Sequence, residues 1–323
     1  MKQLLDLMRR VDEEGVLQDN RTGVRTKTVS GAMLRFDLAQ GFPAVTTKKL
    51  AFKSVIGELV GFLRGCTSAG QFRALGCKVW DANANENQAW LDNPFRQGVD
   101  DLGWQLYGAA WRRWPAYKEI PRTEERMLAA ALASGYEIIG STGRDCHLLR
   151  KDVDQLGDCL RTLCTNPTDR RMVFHAWNPA EIDAVALPCC HVMYILNANA
   201  VDRELSMTMT MRSTDVFLGL PFNVASSAAL LTLLAHLADY TPRYLTVFLS
   251  DAHLYENHLD QVRQQLNREP RSLPFLRIHE SRVPRFNGEN LGEIVRALDE
   301  VEPGDFTLEN YQHHDALAAP MAV

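Results

Sequence analysis

His191-Val192-Met193-Tyr194-Ile195-Leu196, a polar turn from Asn197 to Arg203, and Met207-Thr208-Met209-Thr210-Met211 read as a hairpin or an adjacent strand pair. Alternation of Met with Thr sends the methionines to one face of the second strand and the threonines to the other. The chain then runs through Arg212-Ser213-Thr214-Asp215-Val216-Phe217-Leu218-Gly219-Leu220-Pro221-Phe222-Asn223 into its longest apolar run, Phe222 to Tyr240. Asn223, His236 and Asp239 interrupt that run, so it reads as the buried helix of a large core and not as a bilayer span. Leu245-Thr246-Val247-Phe248-Leu249 is a further strand, leading into Asp251-Ala252-His253-Leu254-Tyr255.

Working outward, Leu4, Met8 and Val11 recur at helical spacing with Gly15 as a stop, and Asn20-Arg21-Thr22-Gly23 is a polar turn. Ser54 is placed to cap a helix through Leu63, in which apolar residues surround a single acid, Glu58. Residues 81–103 and 115–150 lack a sustained period and read as loops or peripheral insertions. Val153, Leu156, Leu160 and Leu163 mark another amphipathic helix, and the basic pair Arg170-Arg171 opens a strand running to Trp177.

The 323 residues are 46% hydrophobic and 23% charged, a globular profile that excludes disorder, collagen and coiled coil. No linker divides them. The 40 acidic residues against 35 basic give a net charge of −5, which argues against holding nucleic acid or anionic membrane by bulk charge. Charges punctuate the first ten residues where a secretory signal needs an unbroken apolar run, so a cytoplasmic location is the expectation. Seven cysteines without a CxxC suggest neither a disulfide framework nor a standard zinc site.

Among chemical candidates, Cys190 stands at a strand entrance where a thiol faces a cleft, though most cysteines are small buried hydrophobes. Arg21, Arg170, Arg171 and Arg212 each offer a fork of donors suited to phosphate. On an extended segment Arg170 and Arg171 diverge, so one site receives both only at a turn or across an interface. Glu58 is either a proton shuttle with a raised pKa or a carboxylate held by a structural partner. His253 and Tyr255 share a strand face, and Asn223 either reads a planar amide edge or caps the long helix.

Together these segments resemble the folate-dependent thymidylate synthases over the whole chain. The resemblance is carried by Asn20-Arg21-Thr22-Gly23, Val45-Thr46-Thr47-Lys48-Lys49, Gly57-Glu58-Leu59, Val79-Trp80-Asp81, Asp169-Arg170-Arg171, Leu187-Pro188-Cys189-Cys190-His191, the run Arg212 to Asn223, and Asp251 to His258. The final residues 319–323 also resemble that family's apolar tail, which closes over bound folate. What the resemblance implies is an α/β (α+β) fold, a single domain with a curved mixed β-sheet flanked by helices, whose back forms a homodimer interface. The implied domain is 1–323 with insertions near 84–100 and 115–150. The implied reaction is reductive methylation of dUMP to dTMP, with 5,10-methylenetetrahydrofolate as one-carbon donor and reductant, release of dihydrofolate, and no metal.

By the same resemblance Cys190 is the nucleophile that adds to ring carbon 6 of the uracil, Glu58 relays protons through water, and Tyr107 supports removal of the ring proton. Arg21, Arg212 and Ser213 hold the phosphate, with Arg170 and Arg171 arriving from the partner subunit. Asn223 binds the uracil edge, His253 and Tyr255 the sugar hydroxyl, and His191 joins the substrate-binding set. Lys48, Trp80, Asp215 and Gly219 face the folate, and the Val323 carboxylate orders the closed state. Cys189, Asn83, Trp104 and Met211 depart from the family's usual Pro, Trp, Pro and Gln, the last three placed by the resemblance near the folate. The competing readings are a dUMP hydroxymethylase on the same fold and an idle, RNA-binding or scaffolding relative. Retention of Cys190, Glu58, Asn223 and the tail disfavours idleness.

Overall fold

The computed structural model describes residues 1–143 and 145–320. Along the chain come β1 (Val16–Gln18) and β2 (Thr26–Asp37), a peripheral trio β3 (Trp114–Pro121), β4 (Glu137–Thr142) and β5 (Cys146–Val153), then β6 (Val173–His175), β7 (His191–Asn199), β8 (Glu204–Asp215) and β9 (Thr241–Tyr255), and finally β10 (Phe275–Ile278) and β11 (Phe306–Glu309). The central sheet has the order β1-β2-β9-β8-β7-β6. All its pairings are antiparallel except β8 with β9, which makes it a mixed sheet. Parallel neighbours need a crossover of a dozen residues or more. The helix Gly219–Leu237 supplies it.

The methionine alternation holds: Met207, Met209 and Met211 are buried, and Leu245, Val247 and Leu249 continue their face on β9. The crossover helix packs on this face and is covered from the other side by the helix Phe52–Leu63. Among the described residues it is the one helix long and apolar enough to cross a membrane, but 83% of that window lies inside the protein. It is the core helix of a sheet flanked by helices. The opposite sheet face exposes Met33 (58%) and Phe248 (45%). One hydrophobic core spans Leu4 to Phe306, which makes the fold a single domain, with a satellite of Ile120, Ala131, Tyr136 and Leu149 under the peripheral trio.

Several local expectations change. Residues 115–150 are not loop but an antiparallel sheet, order β3-β5-β4, carrying the helix Glu125–Ala133. Residues 81–103 contain the short helices Asp81–Asn85 and Gln88–Leu91. Ser54 lies inside the helix Phe52–Leu63, whose cap position is Ala51, and Asn223 lies inside the helix that begins at Gly219, so neither is a cap. The strand opened by the basic pair shortens to β6, leaving Arg170 and Arg171 in the turn before it.

Arg112 joins helices that come from distant parts of the chain. Its side chain, 8% exposed, ends the Tyr107–Arg112 helix, donates to Asp154 Oδ1 (2.9 Å) and Asp299 Oδ1 (2.9 Å), and reaches the Leu63 carbonyl. Removing Arg112 leaves Asp154 and Asp299 partly exposed and able to hydrate, so the loss is that of charge-assisted hydrogen bonds, about 1.5–3 kcal/mol. Arg112→Ala is therefore expected to lower the urea midpoint with an unchanged slope by that amount; a loss below about 1 kcal/mol would place the pairs among weak surface bridges.

Candidate active site

Because β8 and β9 run in parallel, their carboxyl ends emerge side by side, with Ser213 opposite Asp251 and Asp215 opposite His253. The face that carries Met207, Met209 and Met211 farther back becomes polar there, continuing as Ser213 and Asp215 on β8 and as Asp251, His253 and Tyr255 on β9. These side chains line a cavity of about 660 Å³, whose far walls are Glu58, Trp80 and Tyr107. Arg21, Lys48, Cys190, His191, Arg212, Gly219 and Asn223 also line it. In the Asn20-Arg21-Thr22-Gly23 turn, Asn20 Oδ1 accepts from the Thr22 amide (2.9 Å), and Gly23 takes the left-handed φ of +73° that presents Arg21.

Cys190 sits in the turn before β7, and its position is fixed from several sides. Its amide donates to the Tyr107 hydroxyl (2.7 Å), and Arg212 donates from Nε to the Cys189 carbonyl (2.9 Å) and from Nη2 to the Pro188 carbonyl (2.8 Å). The same Nη2 lies 3.8 Å from the Cys190 sulfur. Burial and the neighbouring Cys190 push the Tyr107 phenol well above its ordinary pKa, so it stays protonated. Its ring stacks on Phe62 at 5.1 Å.

Glu58, 5% exposed, hangs from an apolar helix, and burial pushes its pKa up to about 8. Trp80 opposes that shift from beside the carboxyl without completing a full hydrogen bond: among the described residues, Glu58 Oε2 and Trp80 Nε1 both lack a partner. Lys48 donates to the Phe217 carbonyl (2.7 Å), and burial lowers it to about 8 against the pull of Asp215. Asp215 accepts from the amides of Phe217 (2.9 Å) and Leu218 (3.2 Å), bracing the start of the crossover helix.

Burial lowers the His191 pKa to about 4 against the opposing pull of the neighbouring Asn223, so that ring is neutral at pH 7. His191 Nδ1 in turn contacts the Tyr194 hydroxyl at 3.0 Å. Asp251, given no role from sequence, contacts both His253 Nδ1 (2.6 Å) and the Ser213 hydroxyl (2.9 Å). Burial raises the Asp251 carboxyl, but those two partners outweigh it and leave the pKa below its ordinary value. Its signal in the sequence was parity: Asp251, His253 and Tyr255 occupy one face of one strand.

Not every expected residue converges. Arg170 and Arg171 do not line the cavity, and Arg171 is an exposed residue paired with Asp169 at 2.6 Å. Of the departures on the folate side, only Asn83 lines the cavity; Trp104 is an exposed surface residue and Met211 is sealed in the sheet core. Period two explains Met211, because its face is the core face. Val323 lies outside the described residues. Among the described residues, no group of three or more His, Cys, Asp or Glu is placed to hold a metal ion.

A thiol beside an arginine, a buried protonated acid and a carboxamide thus line one cavity. The thymidylate synthase family profile matches residues 2–323. The chain belongs to the thymidylate synthase family. It is 55% identical to the thymidylate synthase of Bordetella parapertussis over 326 aligned positions, covering all of both chains. The thymidylate synthases of Pseudomonas putida and Pseudomonas syringae pv. tomato are 53% and 51% identical, again over 100% of each chain.

The raised Glu58 pKa is also a statement about stability. Unfolded, the group titrates near 4.5 and folded near 8, so the folded state holds more protons between those values and loses stability as pH rises through them. Glu58→Gln, which cannot ionise, is expected to remove that loss. The variant should be the more stable protein at about pH 8, with its advantage shrinking toward about pH 5. Urea midpoints that move in parallel for both proteins across that range would contradict a buried, raised carboxyl.

Proposed function

We propose that this cavity catalyses the reductive methylation of dUMP to dTMP, with 5,10-methylenetetrahydrofolate as co-substrate and dihydrofolate as product. Membership of the thymidylate synthase family supports the methylation of dUMP, and the observation that carries the reading within this chain is Cys190 beside Arg212. Addition of the Cys190 sulfur to ring carbon 6 makes ring carbon 5 nucleophilic, splitting a hard alkylation into easier steps. Bound methylenetetrahydrofolate supplies the one-carbon unit and the hydride that reduces it. The residues fit such a ligand: Trp80 and Leu218 offer flat and apolar wall, Asp215 and Lys48 polar contacts, and Trp80 Nε1 and Thr214 Oγ1 are buried without partners among the described residues.

Each neighbour has a task set by its environment. Glu58, protonated at neutral pH, gives and retakes a proton near the uracil carbonyl. Tyr107, with its phenolic proton retained, supports departure of the ring-carbon-5 proton. Asn223, beside the neutral His191, reads the uracil amide edge, and His253, oriented by Asp251, joins Tyr255 at the sugar hydroxyl. Arg21, Arg212 and Ser213 take the phosphate. Gly219 leaves room for the folate at the helix start. Ala316, Leu317 and Ala319 form an apolar wall, which favours hydride over water as the group that completes the methyl. The Val323 carboxylate is assigned to the closed state.

The same reading makes 1–323 one catalytic domain with insertions at 84–100 and 115–150, in a cytoplasmic homodimer that needs no nucleic acid. The exposed Met33 and Phe248 on the back of the sheet support the dimer face, and the turn position of Arg170 and Arg171, outside their own cavity, suits delivery to the partner's phosphate site.

Cys190→Ala is expected to abolish turnover while Cys189→Ala retains most of it, with dihydrofolate absorbance rising in step with dTMP in the intact enzyme. Equal loss in both folded variants would remove Cys190 as nucleophile, and a hydroxymethyl nucleotide without dihydrofolate would replace the synthase with a hydroxymethylase.

Mixing inactive Arg170→Ala and Cys190→Ala subunits tests the shared site. A hybrid should regain activity, because one of its two sites has both thiol and arginines intact. No recovery after verified subunit exchange would return the arginines to their own subunit or to the surface.

A further inference from the structure

His258 lies just beyond β9, at the end of the turn Glu256–His258, and is fully buried. Its ring is wedged between Phe217 (5.6 Å) and Tyr255 (5.4 Å), a space an apolar ring would fill. The two nitrogens instead face two different parts of the protein. Nε2 is 2.8 Å from the Pro320 carbonyl, which can only accept, so Nε2 is the donor. Nδ1 has no hydrogen-bond partner among the described residues and lies 4.0 Å from Asp215 Oδ2.

The C-terminal segment is well anchored early and sparsely later. The Tyr311 hydroxyl donates to the Val45 carbonyl (2.6 Å), the His314 amide to Thr46 (2.9 Å), and Arg268 to the Asp315 carbonyl (2.7 Å). Beyond Asp315 the segment turns Ala316, Leu317 and Ala319 into the cavity wall. Its polar anchors there are a long contact from Gln261 to the Ala318 carbonyl (3.5 Å) and the bond from His258 to Pro320.

We infer that His258 is a positioning residue that couples the Asp215 carboxylate, on the folate side of the cavity, to docking of the C-terminal segment. What the segment closes over rests on the function proposed above. Nε2 donates to Pro320 while Nδ1 stands 4.0 Å from Asp215 Oδ2, so a single buried ring links that carboxylate to the segment. A ligand donor that orders Asp215 also fixes the ring facing it, firms the grip of His258 on Pro320, and so seals the wall at Ala316, Leu317 and Ala319. By reciprocity a docked segment favours the ligand.

Two amide variants separate the contacts. In His258→Gln the carboxamide nitrogen takes the place of Nε2 and still reaches Pro320; in His258→Asn it takes the place of Nδ1 and reaches only toward Asp215. Thermal midpoints establish folding, and amide hydrogen exchange over residues 312–319 is read in the protein without ligands. Loss of one hydrogen bond of about 1.4 kcal/mol is tenfold, so the Asn variant should exchange there about tenfold faster and raise the methylenetetrahydrofolate KM by a similar factor. The Gln variant should stay within about threefold of the native protein in both, with dUMP affinity within about twofold in each. Should the amides cost the fold, His258→Phe, which refills the space without Nε2, replaces the Asn variant. Equal exchange in variant and native protein, or a dUMP affinity that falls with the folate KM, overturns the inference. The ligand-free exchange decides the latch even if the native protein makes no dTMP, an outcome that would overturn only the proposed function.

Discussion

Parallel pairing of β8 with β9 is the constraint on which the molecule depends. A hairpin cannot close such a pair, so the chain commits the helix Gly219–Leu237 to a crossover through the core. That helix must be apolar on every side, because the sheet lies under it and the helix Phe52–Leu63 over it. The second consequence is chemical. Parallel strands end together, so Asp215 and His253 come out as register partners at the mouth of the cavity, with Ser213 and Asp251 one step behind. The residues that build the core and those that line the cavity are one strand face, read at different depths.

Burial around that cavity pushes ionisable groups toward their neutral forms. Glu58 rises to about 8, Lys48 falls to about 8 and His191 to about 4, each with desolvation as the leading cause. The carboxyl and imidazole are therefore uncharged at neutral pH, where they are able to donate and accept protons without first losing a hydration shell. Asp251 is the exception, because His253 and Ser213 give its charge partners. The site concentrates polar groups where stability alone would place hydrocarbon, and the packed Phe52–Leu63 and Gly219–Leu237 helices around it offset that cost.

Where one side of an element is buried, the sequence displayed it. Met207, Met209 and Met211 alternate because one face of β8 is core, and Leu4, Met8 and Val11 repeat because one stripe of the Lys2–Glu14 helix is covered. The peripheral trio left no such trace: β4 is exposed on both faces, so Glu137 to Thr142 had no inside to alternate with. Ser54 misled because a serine in the first turn of a helix looks like one before it. Cys190, Glu58 and Asn223 were visible as oddities, but a thiol, an acid and an amide far apart in the chain acquire a common purpose only through the resemblance or the folded cavity. Asp251 was missed although its strand parity with His253 was readable.

The position of the Cys190 thiol rests on a chain of contacts that begins with an absence of side chain. A Cβ on Gly108 would lie 2.0 Å from the Phe62 carbonyl oxygen, so only glycine lets the Tyr107–Arg112 helix approach the Phe52–Leu63 helix this closely. That approach stacks Tyr107 on Phe62 and brings its hydroxyl to the Cys190 amide. From the other side Arg212 gives its backbone amide to the Cys190 carbonyl (3.1 Å) and its guanidinium to the two carbonyls before it. The turn is thus held by side chains from a helix and a strand, where a ladder would have sealed it in the sheet. A residue held this way keeps its backbone fixed while its sulfur faces the cavity, the arrangement the proposed nucleophilic role needs.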